Sequence, residues 1–331
     1  QEVERFADNL KSANLLVASG QAHADSARWR AADEDYSRAV KIQPNYYLPW
    51  VLRGQLYTRL HLWDKAADDY ERAWNVCAPT DEPHWWGVPS LFLLAGRSEA
   101  YDRLFKRNRS LLSPADSNPR WLTLRGVITS PLISKQSSVE FVELAESWDR
   151  DILRPPPGRA GGPPPPMEGR FGRPVGPPPV NGGNRRPPHP SFGRSKDSEC
   201  LPHKVAKYVL GRTYLRAGAY EQAIDELARV GQDSNWPSVG LVHAPMAIAY
   251  QYSGKKVKAQ RSLELSNEAI SALVSLQLEQ TGSPSGTPWF DFTEGLVLHR
   301  EATIVVTGKP PADNPKLRLL KFSSQELIQS E

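Results

Sequence analysis

Small and aromatic residues recur among polar positions at a fixed interval along the first third of the chain. The alanines Ala32, Ala66 and Ala100 are each separated by 34 residues. Around the first two the neighbours repeat as well, in the pairs Trp29/Trp63, Asp35/Asp69, Tyr36/Tyr70, Arg38/Arg72 and Ala39/Ala73. A period of 34 is typical of solenoids built from helix pairs, whose units bury their apolar faces by stacking on their neighbours. The pattern therefore predicts an all-α repeat protein.

Residues 47–80 carry the pattern most completely. The matching positions are, in order, Trp50, Gly54, Tyr57, Ala66, Tyr70 and Ala73. Small residues let two helix backbones approach, and the aromatic rings fill the gaps beside them. This spacing resembles the tetratricopeptide (TPR) repeat. The resemblance implies a helix-turn-helix solenoid, or superhelix, whose first helices line a concave groove.

The match varies along the chain, and this variation predicts its organisation. The predicted parts are N-terminal units over 1–153 (clear at 13–46 and 47–80, degenerate at 81–114 and 118–153), a Pro/Gly/Arg-rich insertion over 154–199, C-terminal units over 200–280, and a capping helix with a tail over 281–331. In the C-terminal units the pattern returns at Leu210, Gly211, Tyr214, Gly218, Ala223 and Leu227. We expect the last helix to cover the open end of the stack.

The insertion differs sharply in composition from the rest of the chain. Fourteen of the thirty prolines lie between Pro155 and Pro190. Proline runs favour polyproline II and interrupt the hydrogen bonding of helices and sheets, and the intervening glycines add flexible points. The segment is therefore predicted to be a disordered, flexible loop without a core.

Two functional hypotheses for the loop compete with that of a plain linker, which is favoured. Residues 174–177 and 187–190 have the PxxP spacing that SH3-like domains recognise. The loop is also basic, and arginine–glycine segments bind nucleic acid by charge and stacking. The candidate loop contacts are Arg170, Phe171, Arg173, Arg185 and Arg186.

The TPR resemblance also implies a set of groove-facing positions. These candidates are Gln21, Gln55, Arg59, Trp85, Tyr208, Arg212, Arg216, Gln251 and Tyr252. Because aromatic and arginine side chains commonly anchor interfaces, an acidic or C-terminal-carboxylate peptide is the expected ligand. The basic clamp of chaperone-binding TPR proteins is missing, with Val17, Gln21 and Leu52 at the matching places. A solvated position or a packing position between repeats is an equal alternative for each candidate.

Two further features could serve binding. Trp85 and Trp86 are adjacent, so both cannot face the same way on a helix, and one is expected in the groove. Two basic clusters on predicted helices could form stripes that meet phosphates or an acidic protein, although a solvated helix face is the commoner outcome. The clusters are Arg103, Lys106, Arg107 and Arg109, and Lys255, Lys256, Lys258 and Arg261.

Enzymatic chemistry is not indicated. The seven histidines are dispersed, and the sequence contains no HExxH, zinc-type Cys/His spacing or Gly-rich phosphate loop. We therefore predict no catalytic, cofactor-binding or metal-binding residue. No apolar run approaches the roughly 18 residues of a membrane helix. The distant Cys77 and Cys200 favour a reducing, cytoplasmic compartment, although Gln1 at the first position also suits an exported mature chain.

A wider resemblance gives a context for function. The segments 91–107, 210–227 and 289–302 resemble the TPR region that follows a Ser/Thr kinase or WD40 domain in large bacterial regulatory proteins. It implies a protein-interaction scaffold that recruits a protein or peptide partner for an attached or associated protein. An RNA- or polyanion-binding protein that uses the basic loop is the first alternative. A self-assembling structural solenoid is the second.

Overall fold

The computed structural model describes residues 2–78, 85–115, 120–152, 200–232, 238–281 and 287–329. Every regular element in these ranges is helical, which confirms the predicted all-α class. A short 3-10 helix, Val239–Val242, precedes α11. The α-helices are α1 (Glu2–Asp25), α2 (Trp29–Ile42), α3 (Tyr47–Arg59), α4 (Trp63–Val76), α5 (Val88–Leu94), α6 (Ser98–Arg109), α7 (Trp121–Val127), α8 (Lys135–Ile152), α9 (Cys200–Ala217), α10 (Tyr220–Gly231), α11 (His243–Tyr252), α12 (Lys256–Glu279), α13 (Trp289–Thr307) and α14 (Pro315–Gln329).

Most helices pack as consecutive pairs. Within pairs, α1 packs on α2, α3 on α4, α5 on α6, α9 on α10 and α11 on α12. Between pairs, the second helix packs on the next first helix, as α2 does on α3, α4 on α5 and α10 on α11. Helices α7 and α8 meet through Trp121 and Trp148, whose ring centroids lie 5.3 Å apart. Neighbours in sequence are therefore neighbours in space.

The same turn closes each of the five pairs. One residue adopts the left-handed conformation, and the N–H of the next residue donates to the carbonyl oxygen five residues before it, over 2.7–2.9 Å. This arrangement satisfies carbonyls that a helix end would otherwise leave unpaired. The left-handed residues are Ala27, His61, Gly96, Gly218 and Gly254.

Glycine allows close contact between the two helices of a pair. A Cβ at Gly20 would lie 2.7 Å from the Tyr36 ring, and one at Gly54 would lie 3.1 Å from Tyr70. In the pair after the insertion, Gly211 meets Leu227 in the same way, at 2.9 Å. Because a methyl group would not fit at these distances without a shift, the small residues of the sequence pattern mark real points of helix contact.

The last two helices return to the first half of the chain. Helix α13 packs on α5, α11 and α12, and α14 packs on α12 and α2. Phe292 of α13 and Leu320 of α14 consequently share one buried cluster with Trp63 and Leu91. The segment predicted as a capping helix with a tail thus holds two helices in its described part, and the first of them lies inside the helix array. The predicted insertion, residues 154–199, lies outside the described residues.

The turns provide a test of the backbone strain that a side chain causes at a left-handed residue. Gly218→Ala is expected to lower the free energy of unfolding by about 1 kcal/mol, because an L-residue pays that much to adopt this conformation. A Cβ at Gly218 meets only Tyr220, at 3.8 Å, so strain decides the result. The matched change Ala27→Gly relieves strain at an exposed turn. Urea midpoints should therefore move down for Gly218→Ala and not for Ala27→Gly; equal losses in both would contradict this explanation.

Candidate functional site

Helix α13 lies against the first helices of several pairs. It packs directly on α5 and α11, and its side chains reach α7 and α9. Three arginines face it from these last two helices, and we call them the arginine face: Arg125 of α7, and Arg212 and Arg216 of α9. The positions proposed to hold a groove ligand on α9 are therefore occupied by the chain's own helix.

Each arginine of this face meets a carboxylate of α13. Arg125 donates from Nη2 to Oδ1 of Asp291 at 2.5 Å and from Nε to Oε2 of Glu294 at 2.6 Å. Arg212 pairs with the other oxygen of Glu294. Arg216 donates from Nη2 to Oε2 of Glu301 at 2.8 Å. Three positive charges thus meet three negative ones.

Further hydrogen bonds hold these arginines in place. Arg216 donates from Nε to the Ile128 carbonyl at 3.0 Å and from Nη2 to the Thr129 carbonyl at 2.8 Å. The Tyr208 ring lies 5.3 Å from the Arg125 guanidinium carbon and 5.4 Å from that of Arg212. The backbone carbonyls that follow α7 and the face of the Tyr208 ring therefore help to orient the guanidiniums, in addition to the carboxylates.

The arginine face is removed from water. Arg212 is only 1 % exposed, and burial lowers its pKa to about 10. Burial also raises the pKa of Tyr208. Buried charges are costly unless they are paired, so the carboxylates of α13 are what make three buried guanidiniums tolerable. The network consequently specifies which helix lies here and in which register.

Aromatic side chains fix the start of α13 against the N-terminal pairs. The ring centroids of Phe292 and Trp63 are 5.9 Å apart, and Trp289 stacks on Tyr70 at 6.4 Å. A Cβ at Gly87 would lie 2.3 Å from Cβ of Phe290, so only glycine allows this approach. Apolar contacts and the Asp291 ion pair therefore hold the start of α13 together, and the ion pairs of Glu294 and Glu301 lie farther along it.

His61 sits beside these rings in an apolar environment. Its Nε2 lies 3.1 Å from Oε1 of Gln277, and its ring packs against Trp63 and Phe292. Burial lowers the pKa of His61 to about 4, and the bond to Gln277 opposes this only in part. The imidazole is therefore neutral at neutral pH.

Several sequence-derived groove candidates are covered in the structure. Trp85 is only 4 % exposed because it packs against Tyr70 and Trp74. Tyr208 and Arg212 are buried; Tyr208 packs against the guanidiniums of Arg125 and Arg212, and Arg212 pairs with Glu294 of α13. These three residues are corrected from ligand contacts to internal packing positions, and the predicted acidic ligand of the arginines is supplied from within the chain. Arg216 belongs to the same network.

The remaining candidates stay accessible. Gln21 donates to Asp25 at 2.8 Å, Gln55 is partly buried and Arg59 is exposed. At the far end of the array Gln251 is partly buried, and Tyr252 is 57 % exposed while it stacks on Tyr220 at 5.3 Å. The accessible candidates thus fall in two sets, one on the contacting helices α1 and α3 and the other at the end of α11. The loop candidates Arg170, Phe171, Arg173, Arg185 and Arg186 lie outside the described residues.

Sequence reasoning missed Arg125 and the three carboxylates of α13. Asp291, Glu294 and Glu301 are three and seven residues apart, which places them on one face of a helix. Acidic residues on one stripe of an otherwise apolar helix were the available signal. Of their partners, Arg212 and Arg216 of α9 were among the groove candidates, whereas Arg125 of α7 had no comparable mark in the sequence.

Four of the eight side chains in the two predicted basic clusters form ion pairs with nearby carboxylates. Arg103 meets Glu71, and Arg109 meets Glu140. Lys255 meets Glu221, and Arg261 meets Glu264 of the next turn. These pairs, three between neighbouring helices and one within α12, therefore interrupt both stripes.

The described residues contain no group of histidine, cysteine or acidic side chains arranged to hold a metal ion. No helix in the described ranges has the length and apolar character needed to span a membrane. No protein-family model matches the chain, and a search of curated proteins finds no similar sequence.

The buried arginine network leads to a contrast between two arginines. Arg212→Ala is expected to lower the free energy of unfolding by about 3 kcal/mol, because Glu294 loses one of its two cations in a site without water. Arg103→Ala is the matched control, since its partner Glu71 is at the surface, and it should cost less than about 1 kcal/mol. Urea unfolding followed by circular dichroism measures both. Equal losses would show that burial does not govern the strength of these pairs.

His61 leads to a pH prediction. Above the ordinary histidine pKa of 6.5, His61 is neutral in both the folded and the unfolded chain. Below pH 6.5 the ring is protonated in the unfolded chain, whereas in the folded chain it stays neutral down to about pH 4. Stability should therefore fall by about 2 kcal/mol between about pH 7.5 and about pH 5.

The control for this prediction is His61→Asn, because asparagine tolerates the left-handed backbone at this position and does not titrate. The unfolding free energy of the variant should depend less on pH than that of the natural chain, by the same amount. Identical pH dependence in the two proteins would show that His61 is not the group responsible.

Proposed function

We propose that the chain is a TPR-type solenoid that serves as a protein-interaction scaffold and carries out no chemistry of its own. The repeated turn and the Gly20–Tyr36, Gly54–Tyr70 and Gly211–Leu227 contacts support this arrangement. They are what a unit repeated along the chain would produce. The wider resemblance adds the proposal that the scaffold recruits a partner for an attached or associated protein.

The observation that carries this proposal is the seating of α13 on the arginine face. The first helices of successive pairs here hold another helix through charge pairing and aromatic packing, which is the chemistry of a peptide-binding groove. In this chain the occupant is internal. An external partner therefore uses surfaces that α13 leaves open, and Gln251 and Tyr252 lie on such a surface.

Affinity capture from a host lysate at low and moderate salt, followed by mass spectrometry, tests the scaffold role. The proteins compared are the intact chain, a chain lacking 155–198, a Gln251→Ala/Tyr252→Ala variant and a Lys106→Ala control on an exposed part of α6. We expect a protein partner that survives the deletion and the control change but is lost with the double variant.

Two results would contradict the proposal. Capture of nucleic acid that disappears on deletion and weakens steeply with salt would favour the polyanion-binding alternative. Absence of any captured partner, together with concentration-dependent self-association, would favour the structural solenoid.

A further inference from the structure

Helix α13 lacks the paired helix that other first helices have. It ends at a left-handed glycine, Gly308, as several of the paired helices do at their turns. The next helix does not fold back onto it: α14 begins only at Pro315 and packs on α12 and α2. One face at the carboxyl end of α13 is therefore without the second helix of a pair in the described part of the chain.

A surface cavity of about 750 Å³ lies at this position. It is bounded by the first three turns of α12, by the end of α11 and by the last turn of α13. We call it the α12–α13 slot, and its defining residues are Gln251, Lys256, Val257, Gln260, Arg261, Glu264 and Val306. Its lining includes Gln251, one of the groove candidates that remained accessible.

The slot is lined by two valines, by the cations Lys256 and Arg261, and by the carboxylate of Glu264. Val257 is 85 % exposed, and it lines the slot together with Val306 of α13. Lys256 makes no ion pair among the described residues and stands in the first turn of α12, where the helix dipole adds positive potential. Arg261 is held only by exposed carboxylates, at 3.2 Å from Glu264 and 3.8 Å from Glu268. The surface therefore favours a ligand with apolar and carboxylate groups.

We propose that the α12–α13 slot binds an acidic amphipathic helix of a partner protein, which completes the pair that α13 begins. The apolar face of that helix packs on Val257 and Val306, and its carboxylates meet Lys256 and Arg261. The arginine face shows the same recognition inside the molecule, where acidic and apolar groups of one helix meet cations and rings of others. This inference rests on the proposed scaffold function and names the site and the chemistry of its partner.

The probe is a fluorescent, hydrocarbon-stapled helix with leucines along one face and glutamates beside them, measured by anisotropy against the intact chain. A second peptide carries lysine in place of each glutamate. We expect saturable binding of the acidic peptide and at least about tenfold weaker binding of the basic one, because charge complementarity discriminates between them.

Two variants locate the binding. Val257→Asp places a negative charge at one of the two valines of the slot, and Lys256→Glu reverses the charge at one of its two cations. Each change should weaken acidic-peptide binding at least about tenfold. Both positions are exposed, so the fold is expected to survive, and circular dichroism checks this. Lys106→Glu is the matched control, since it makes the same charge change on exposed α6 and should leave binding unchanged.

Several outcomes would overturn the inference. These are no binding, equal binding of both peptides, or binding that ignores Val257→Asp. Sedimentation that shows a dimer broken by Val257→Asp would make a second copy the occupant, and binding that appears only after deletion of 155–198 would make that segment the occupant. A captured partner that persists with Val257→Asp would reject the slot while the scaffold role remains, so the two failures are distinguishable.

Discussion

The pairing of Arg125, Arg212 and Arg216 with the carboxylates of α13 is the constraint on which the closed arrangement depends. A guanidinium without water needs an opposite charge and filled hydrogen bonds. Helix α13 provides opposite charge to all three arginines through Asp291, Glu294 and Glu301, which share one face of the helix. The arginines of α7 and α9 and the carboxylates of α13 therefore stabilise one another, because each neutralises a buried charge of the other.

This closure joins two kinds of interaction with different ranges. Within a pair, Gly54 and Tyr70 meet only sixteen residues apart, and the turn between the helices is local. Between Arg125 and Asp291 the separation is 166 residues. Local contacts can form each pair before any distant contact exists, whereas the position of α13 is decided only when both halves of the chain are present. The chain thus combines helix pairs built from local contacts with long-range contacts made by its last helices.

Arginine has two roles in this molecule, and location separates them. On exposed helix faces Arg97 meets Asp68 and Arg103 meets Glu71, where water weakens each pair. On the arginine face the same side chain specifies a partner, because an incorrect one would leave a buried charge. The arginine face is consequently occupied by α13. Tyr252 at the end of α11 and Val257 at the start of α12 remain exposed.

The sequence by itself determined the all-α class, the positions of the early helix pairs and the small residues between them. It could do so because Ala32, Ala66 and the glycines act through neighbours that lie close in sequence, so their spacing records the contact. Tertiary structure decided that Trp85 is buried and that α13 lies inside the array. The sequence alone does not distinguish an arginine exposed to water from one buried against Glu294. Only the path of the chain, which brings distant charges together and removes the water between them, distinguishes the two.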